Sequence, residues 1–123
     1  MEFDELSRRV IGCAIEVHRN LGPGCSNRHI VNVSHASCRM RAFHFKWRYR
    51  CPSATKMSCS IAGYRIDLLV RSDLIVEIKS VETLLPIHQA QILTYMRLAR
   101  IPIGLLMNFN VTKLQNGIKR FVL

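Results

Sequence analysis

The chain has 123 residues, which is enough for one domain built around a single modest core. Apolar residues make up 49% and charged residues 21%, so the composition excludes a disordered or fibrous chain, and no apolar stretch approaches the roughly 18 residues that span a bilayer. The formal net charge of +10 is typical of proteins that bind polyanions, most often nucleic acid. The acidic start lacks the apolar region of a signal peptide, so we expect a cytoplasmic protein, not bound to membranes, with reduced cysteines.

An amphipathic helix is predicted over residues 4–20. Asp4 and Glu5 favour a helix start there, because acidic side chains oppose the positive end of the helix dipole. Residues 22–24, Gly-Pro-Gly, end the helix. Glu16 lies one turn after Gly12, whose lack of a side chain lets the carboxylate approach a sheet closely. The apolar positions recur at helical spacing: Leu6, Val10, Ile11, Ala14, Ile15 and Val17.

The chain after residue 63 predicts strands around one helix. Residues 64–70 and 74–79 are rich in β-favouring side chains and are separated by an Arg-Ser-Asp turn, which predicts a hairpin. A helix is predicted from Pro86 to Arg100, because proline is favoured in the first turn and nothing in the run breaks it. Residues 103–109 predict a strand buried on both faces, and residues 117–123 a short last strand. This order predicts an α/β fold with a mixed central sheet flanked by helices.

Residues 25–62 differ in character from the rest of the chain. They hold seven Lys or Arg and no Asp or Glu, which leaves only +3 for the other 85 residues. They also hold four of the five cysteines, without the paired CxxC typical of a zinc site. No helical or strand period is sustained, although VNVSHASC and AFHFKWRY alternate briefly. Aromatic and cationic side chains interleave over residues 43–50, as they do on surfaces that bind single-stranded nucleic acid.

Three charged residues of the predicted hairpin form a candidate site. Glu77 and Lys79 are two residues apart and project from the same face of their strand, and Asp67 lies in the strand before it. Two carboxylates and a main-chain carbonyl suit a hard cation such as Mg²⁺, and a nearby lysine can orient a water molecule for phosphodiester hydrolysis. A weakly stabilising cross-strand ion pair is the structural alternative, and so short a pattern leaves both interpretations open.

The pattern resembles the PD-(D/E)XK nuclease superfamily, which carries an Asp and a Glu-x-Lys on adjacent strands after a helix with a carboxylate. Residues 6–24 and 63–123, about two thirds of the chain, resemble more closely the small bacterial family of GxxExxY proteins. The resemblance implies a PD-(D/E)XK-like core of αβββαβ order in one domain over residues 1–123. The stretches that carry it are VIGCAIEVHRNLGPG, GYRIDLLV, LIVEIKSVETLLPIHQAQILTYMRL and IGLLMNFNVTKLQNGIKRFVL.

The resemblance also implies roles for single residues. Asp67 and Glu77 match the ligands of Mg²⁺ or Mn²⁺, together with the main-chain carbonyl of Ile78. Glu16 matches an accessory acid that completes the metal environment, and Lys79 matches the residue that serves the attacking water. All five would then act at one catalytic centre.

Gln91 and Tyr95 resemble the Q-x-x-x-Y motif of RecB-like members of the superfamily. Being four residues apart, they share a helix face from which both can reach the site and the phosphate backbone. The resemblance implies a metal-dependent nuclease whose partner is nucleic acid, with DNA as the expected substrate. A non-catalytic interpretation stays open: a module that binds nucleic acid or protein, or an inactive product of a frame-shifted gene.

The naming motif of the GxxExxY family is absent from its expected place, since Asn27 and Ile30 stand where the family has Glu and Tyr after Gly24. The rest of residues 25–62 does not resemble the family either, although the segment has the length that the family pattern requires. Translation one base out of frame permits Leu-Leu-Glu-Ser-Ser-Tyr directly after Gly24, which restores the motif. We therefore predict that a base is missing near Gly24 and one is gained near Ala62, so that residues 25–62 are an aberrant segment whose charge and cysteines are accidental.

Overall fold

A computed structural model of the protein describes residues 4–23, 45–50 and 65–123. The mixed α/β class and the αβββαβ order implied by the resemblance are confirmed, and so is the short last strand expected within residues 117–123. The elements are α1 (Glu5–Leu21), β1 (Phe45–Arg50), β2 (Arg65–Val70), β3 (Leu74–Lys79), α2 (Pro86–Ala99), β4 (Ile103–Asn108), a short 3₁₀ helix (Leu114–Gly117) and β5 (Ile118–Val122).

The described strands form one mixed sheet in the order β1-β2-β3-β4-β5. Only β3 and β4 are parallel, and the other neighbouring pairs are antiparallel. A parallel pair needs a crossover connection, which α2 supplies. Because β3 and β4 run in the same direction, their carboxyl ends lie side by side, with Lys79 level with Asn108.

Helices α1 and α2 pack on opposite faces of the sheet. Alternate residues of β3 face opposite helices, so Glu77 and Lys79 share the α2 side with Ile75. Neither helix, as far as the described residues extend, is long and apolar enough to cross a membrane. The core on the α1 side contains Val10, Cys13, Val17, Leu68, Val70, Leu74, Val76, Ile78, Leu105, Met107, Phe109 and Leu114. The core on the α2 side contains Ile66, Leu69, Ile75, Ile92, Met96, Ile101 and Leu106.

Contacts near both of its ends hold helix α1 against the sheet. At the start, Asp4 accepts a hydrogen bond from the backbone N–H of Ser7 (2.9 Å) and forms an ion pair with Arg120 of β5 (2.9 Å). Burial would raise the pKa of Asp4, but the hydrogen bonds from Ser7 and Arg120 outweigh it and lower the pKa to about 2. Near the end, Nε2 of the buried His18 contacts the carbonyl oxygen of Phe109 at 3.1 Å. The helix therefore has a fixed position on the sheet.

Strand β1 falls within residues 25–62, where the sequence predicts no sustained element. It coincides with the second brief alternation of that segment, AFHFKWRY, and pairs antiparallel with β2 from Phe45 opposite Val70 to Arg50 opposite Arg65. Residues 25–44 and 51–62 lie outside the described residues, so the aberrant-segment hypothesis and the domain boundaries stay predictions.

Candidate functional site

The candidate site lies where strands β2 and β3 stop pairing. Their ladder ends with Leu68 opposite Val76, so that Asp67 and Glu77 come next on the two strands. Beyond this point side chains take over the cross-strand bonding. The backbone N–H of Asp67 donates to Oε1 of Glu77 (3.2 Å), and the backbone N–H of Ile78 donates to Oδ2 of Asp67 (3.0 Å). These reciprocal hydrogen bonds hold the two carboxylates side by side on facing strands.

The Glu77 carboxyl is held in an environment that disfavours its charge. The residue is 3% exposed, and Asp67 beside it is half-buried. Burial, and then the negative charge of Asp67, raise the pKa of Glu77 to about 8. Two carboxylates confined in this way favour a proton or a cation between them, since either reduces their repulsion.

A hydrogen-bonded chain of three side chains joins strand β3 to helix α2. Nζ of Lys79 donates to Oε1 of Gln91 at 2.8 Å, and Nε2 of Gln91 donates to the hydroxyl oxygen of Tyr95 at 2.8 Å. Because lysine has only donors to offer, this contact requires Gln91 to present its oxygen to Lys79 and leaves its amide nitrogen for Tyr95. Gln91 and Tyr95 do share one helix face, and that face meets the lysine of the Glu-x-Lys pattern.

Glu16 lies on the other side of the sheet. It is half-buried in α1, whereas Glu77 and Lys79 share the α2 side. Among the described residues, no group of three or more His, Cys, Asp or Glu side chains is close enough to hold a metal ion. The carboxylates that the hydrogen bonds place side by side are those of Asp67 and Glu77. The accessory role of Glu16 stays a prediction, as does that of the Ile78 carbonyl.

The donor set nevertheless fits a hard divalent cation. Two adjacent carboxylates are the ligands with which Mg²⁺ is commonly held, while water and substrate oxygens fill its other positions. A cation at this place would also offset the burial and the repulsion by Asp67 that together raise the pKa of Glu77. The four cysteines of residues 25–62, whose spacing lacks the paired CxxC of a zinc site, lie outside the described residues. They are Cys25, Cys38, Cys51 and Cys59.

Asn108 was not predicted from the sequence, where it stands near the end of a nearly apolar strand. It is 3% exposed at the end of β4 and exchanges two hydrogen bonds with the backbone of Val81, just past β3. The next residue, Phe109, donates its backbone N–H to the carbonyl oxygen of Lys79 at 2.8 Å. An amide that ends an otherwise apolar strand was the available signal, because a buried polar side chain needs partners.

Comparison with known proteins identifies one family. A sequence model described as the PD-(D/E)XK nuclease superfamily matches residues 4–121, a range that includes every candidate residue described above and all of the elements except the last residue of β5. The match concerns the superfamily as a whole and does not test the narrower resemblance to GxxExxY proteins. No curated protein and no solved structure matches the chain.

Proposed function

Because the chain belongs to the PD-(D/E)XK nuclease superfamily, we propose that it is a nuclease that hydrolyses phosphodiester bonds of DNA with the help of Mg²⁺ or Mn²⁺. The observation that carries this proposal is the convergence of Asp67, Glu77 and Lys79 at one point of the sheet, with Lys79 held by a residue of α2. An ordinary surface ion pair does not require a buried glutamate beside a second carboxylate.

Asp67 and Glu77 are the residues that would hold the cation, with the Ile78 carbonyl and Glu16 as further ligands that the superfamily pattern implies. A bound divalent cation supplies Lewis acidity, which polarises a phosphoryl oxygen and lowers the pKa of water. Burial of Glu77 excludes bulk water from one side of the pair, and low solvent access strengthens every electrostatic interaction there.

Lys79 provides the positive charge that faces the reacting phosphate. Its ammonium group has three donors, one of which is used by Gln91, so the others can orient a water molecule or contact a phosphate oxygen. The Gln91 contact restricts the long lysine side chain, and Tyr95 in turn fixes the amide of Gln91. This pre-organisation lowers the entropy that a flexible lysine would lose in the transition state.

The proposal is tested by cleavage of end-labelled DNA, with labelled RNA of the same sequence as a second substrate, over a titration of Mg²⁺. We expect Asp67→Ala to lose both Mg²⁺ binding and cleavage, and Lys79→Ala to lose cleavage while retaining Mg²⁺ binding. The exposed residues Asp73 and Lys119 provide matched controls, since Asp73→Ala and Lys119→Ala remove the same charges elsewhere. Cleavage that survives in both Asp67→Ala and Lys79→Ala would refute the site.

The same titration distinguishes the non-catalytic alternative. A module that only binds nucleic acid is expected to retain its affinity without divalent cations and in Asp67→Ala. Its affinity is also expected to fall steeply with salt, because phosphate contacts release counterions. Binding of this kind without cleavage would replace the nuclease proposal.

We further propose that residues 25–62 are translated from a shifted reading frame. The proposal is supported by the residues Asn27 and Ile30 in place of the family motif and by the excess of seven basic residues in this segment. The nucleotide sequence across codons 24–63 tests it. Restoration of the frame is expected to yield a more stable and more active protein, whereas an in-frame gene encoding residues 25–62 in close relatives would refute it.

A further inference from the structure

Asn108 is a buried polar side chain to which the proposed reaction gives no role. Its amide makes three hydrogen bonds at the carboxyl end of β4. Oδ1 accepts from the backbone N–H of Val81 (3.1 Å) and from that of Asn110 (3.1 Å), and Nδ2 donates to the carbonyl oxygen of Val81 (2.8 Å). Both backbone polar groups of Val81 are therefore held by one side chain, an arrangement called here the Asn108 clamp.

The Asn108 clamp acts directly after the catalytic strand. Lys79 is level with Asn108 in the parallel pair β3–β4, and its carbonyl oxygen accepts from the backbone N–H of Phe109. The clamp extends this pairing to Val81, with a side chain in place of a backbone partner. The path of the chain out of β3 is thereby determined for two residues beyond Lys79.

The connection that begins at Val81 leads to α2, which carries Gln91. The hydrogen bond between Lys79 and Gln91 spans the two elements that this connection joins, so its length depends on how the chain leaves the sheet. A displacement of about 1 Å at a catalytic group can lower a rate by about 100-fold. The clamp is therefore placed to control the geometry of the lysine through the chain that leaves β3.

We propose that Asn108 is a positioning residue that, through Val81 and the start of α2, holds Gln91 where it restrains the Lys79 ammonium. The proposal rests on the proposed nuclease function for its kinetic consequences. Its structural consequence, a change in the surroundings of the Lys79 ammonium, does not depend on catalysis.

The experiment compares Asn108→Ala and Asn108→Ser with the wild type. Serine can retain one hydrogen bond to Val81, so it is the milder variant. Asn116→Ala, at an exposed amide in the 3₁₀ helix, is the matched control. Removing a partner from buried backbone groups costs roughly 1–3 kcal/mol of stability, so each protein is first shown to be folded by circular dichroism.

Two readouts separate positioning from a structural role. The first is the side-chain ¹⁵N signal of Lys79, one of only five lysines in the chain, which we expect to shift in Asn108→Ala in the absence of substrate. The second is kinetic: kcat is expected to fall about 10- to 100-fold while KM and the affinity for Mn²⁺ stay unchanged, with a smaller loss in Asn108→Ser. Asn116→Ala is expected to behave as the wild type in both.

A double-mutant cycle with Gln91→Ala tests the route of the effect. If the clamp acts by placing Gln91 against Lys79, the fold-decrease in kcat of the double variant is smaller than the product of the fold-decreases of the two single variants. An unchanged Lys79 signal in folded Asn108→Ala would overturn the proposal, and so would fully multiplicative losses or unfolding of both Asn108 variants. If the wild type does not cleave nucleic acid, the nuclease function fails, and the Lys79 signal still decides whether the clamp positions the lysine.

Discussion

The substitution Glu77→Gln measures the electrostatic cost of burying this carboxylate beside Asp67. Glu77 is 3% exposed next to Asp67, and burial and then this like charge raise its pKa from 4.5 to about 8. Between these values the folded protein holds a proton that the unfolded chain has released. The free energy of unfolding is therefore expected to fall as the pH rises from about 5 to about 8, by up to about 1.4 kcal/mol per pH unit.

Glutamine preserves the shape of the side chain and can still accept the hydrogen bond from the backbone N–H of Asp67, but it carries no charge. The free energy of unfolding of Glu77→Gln should therefore not fall between pH 5 and pH 8. At about pH 9 it should exceed that of the wild type, by at most about 5 kcal/mol for the full pKa difference. Urea unfolding in the presence of a chelator checks this, with the exposed Asp73→Asn as control. If the free energy of unfolding depended on pH in the same way for Glu77→Gln and the wild type, the reasoning would be refuted.

Three further substitutions are predicted to change stability. Asp4→Ala removes the cap of α1 and is expected to cost about 1–2 kcal/mol near neutral pH. The contribution of Asp4 to stability is present above its ordinary pKa of 3.8 and is lost as the pH falls through about 2. The prediction would be contradicted if Asp4→Ala and Asp73→Ala unfolded in acid at the same pH. Gly117→Ala is expected to cost roughly 1–3 kcal/mol, because its Cβ would collide with the carbonyl oxygen of Asn108. In Gly12→Ala the new Cβ meets no atom of the described residues within 4 Å, so this variant is expected to have a higher melting temperature through its greater helix propensity. Equal melting temperatures for Gly117→Ala and Gly12→Ala would argue against this packing.

The order of the described elements other than β1 was predictable because local patterns determine it. Alternation along residues 74–79 put Glu77 and Lys79 on one face, and four-residue spacing put Gln91 and Tyr95 on one side of a helix. These two faces meet because α2 forms the crossover between the parallel strands β3 and β4. The crossover packs α2 on the same face of the sheet from which Glu77 and Lys79 project.

Contacts between distant residues were not predictable from the sequence. The Asn108 clamp joins residues 27 positions apart, and the contact of His18 with Phe109 joins residues 91 positions apart. Neither pair follows a helical or strand period, so periodicity gives no sign of it. Strand β1 was also not assigned, because its alternation is too short to distinguish from the irregular sequence around it.

The central claim, that Asp67, Glu77 and Lys79 form a metal-dependent catalytic site, is tested most directly by the Lys79→Ala variant. The measurement is its rate of DNA cleavage at a Mg²⁺ concentration that saturates the wild type, together with its Mg²⁺ affinity by calorimetry. We predict wild-type affinity for Mg²⁺ and no cleavage, because the carboxylate pair remains while the restrained ammonium is lost. Cleavage by Lys79→Ala at the wild-type rate would contradict the proposed site.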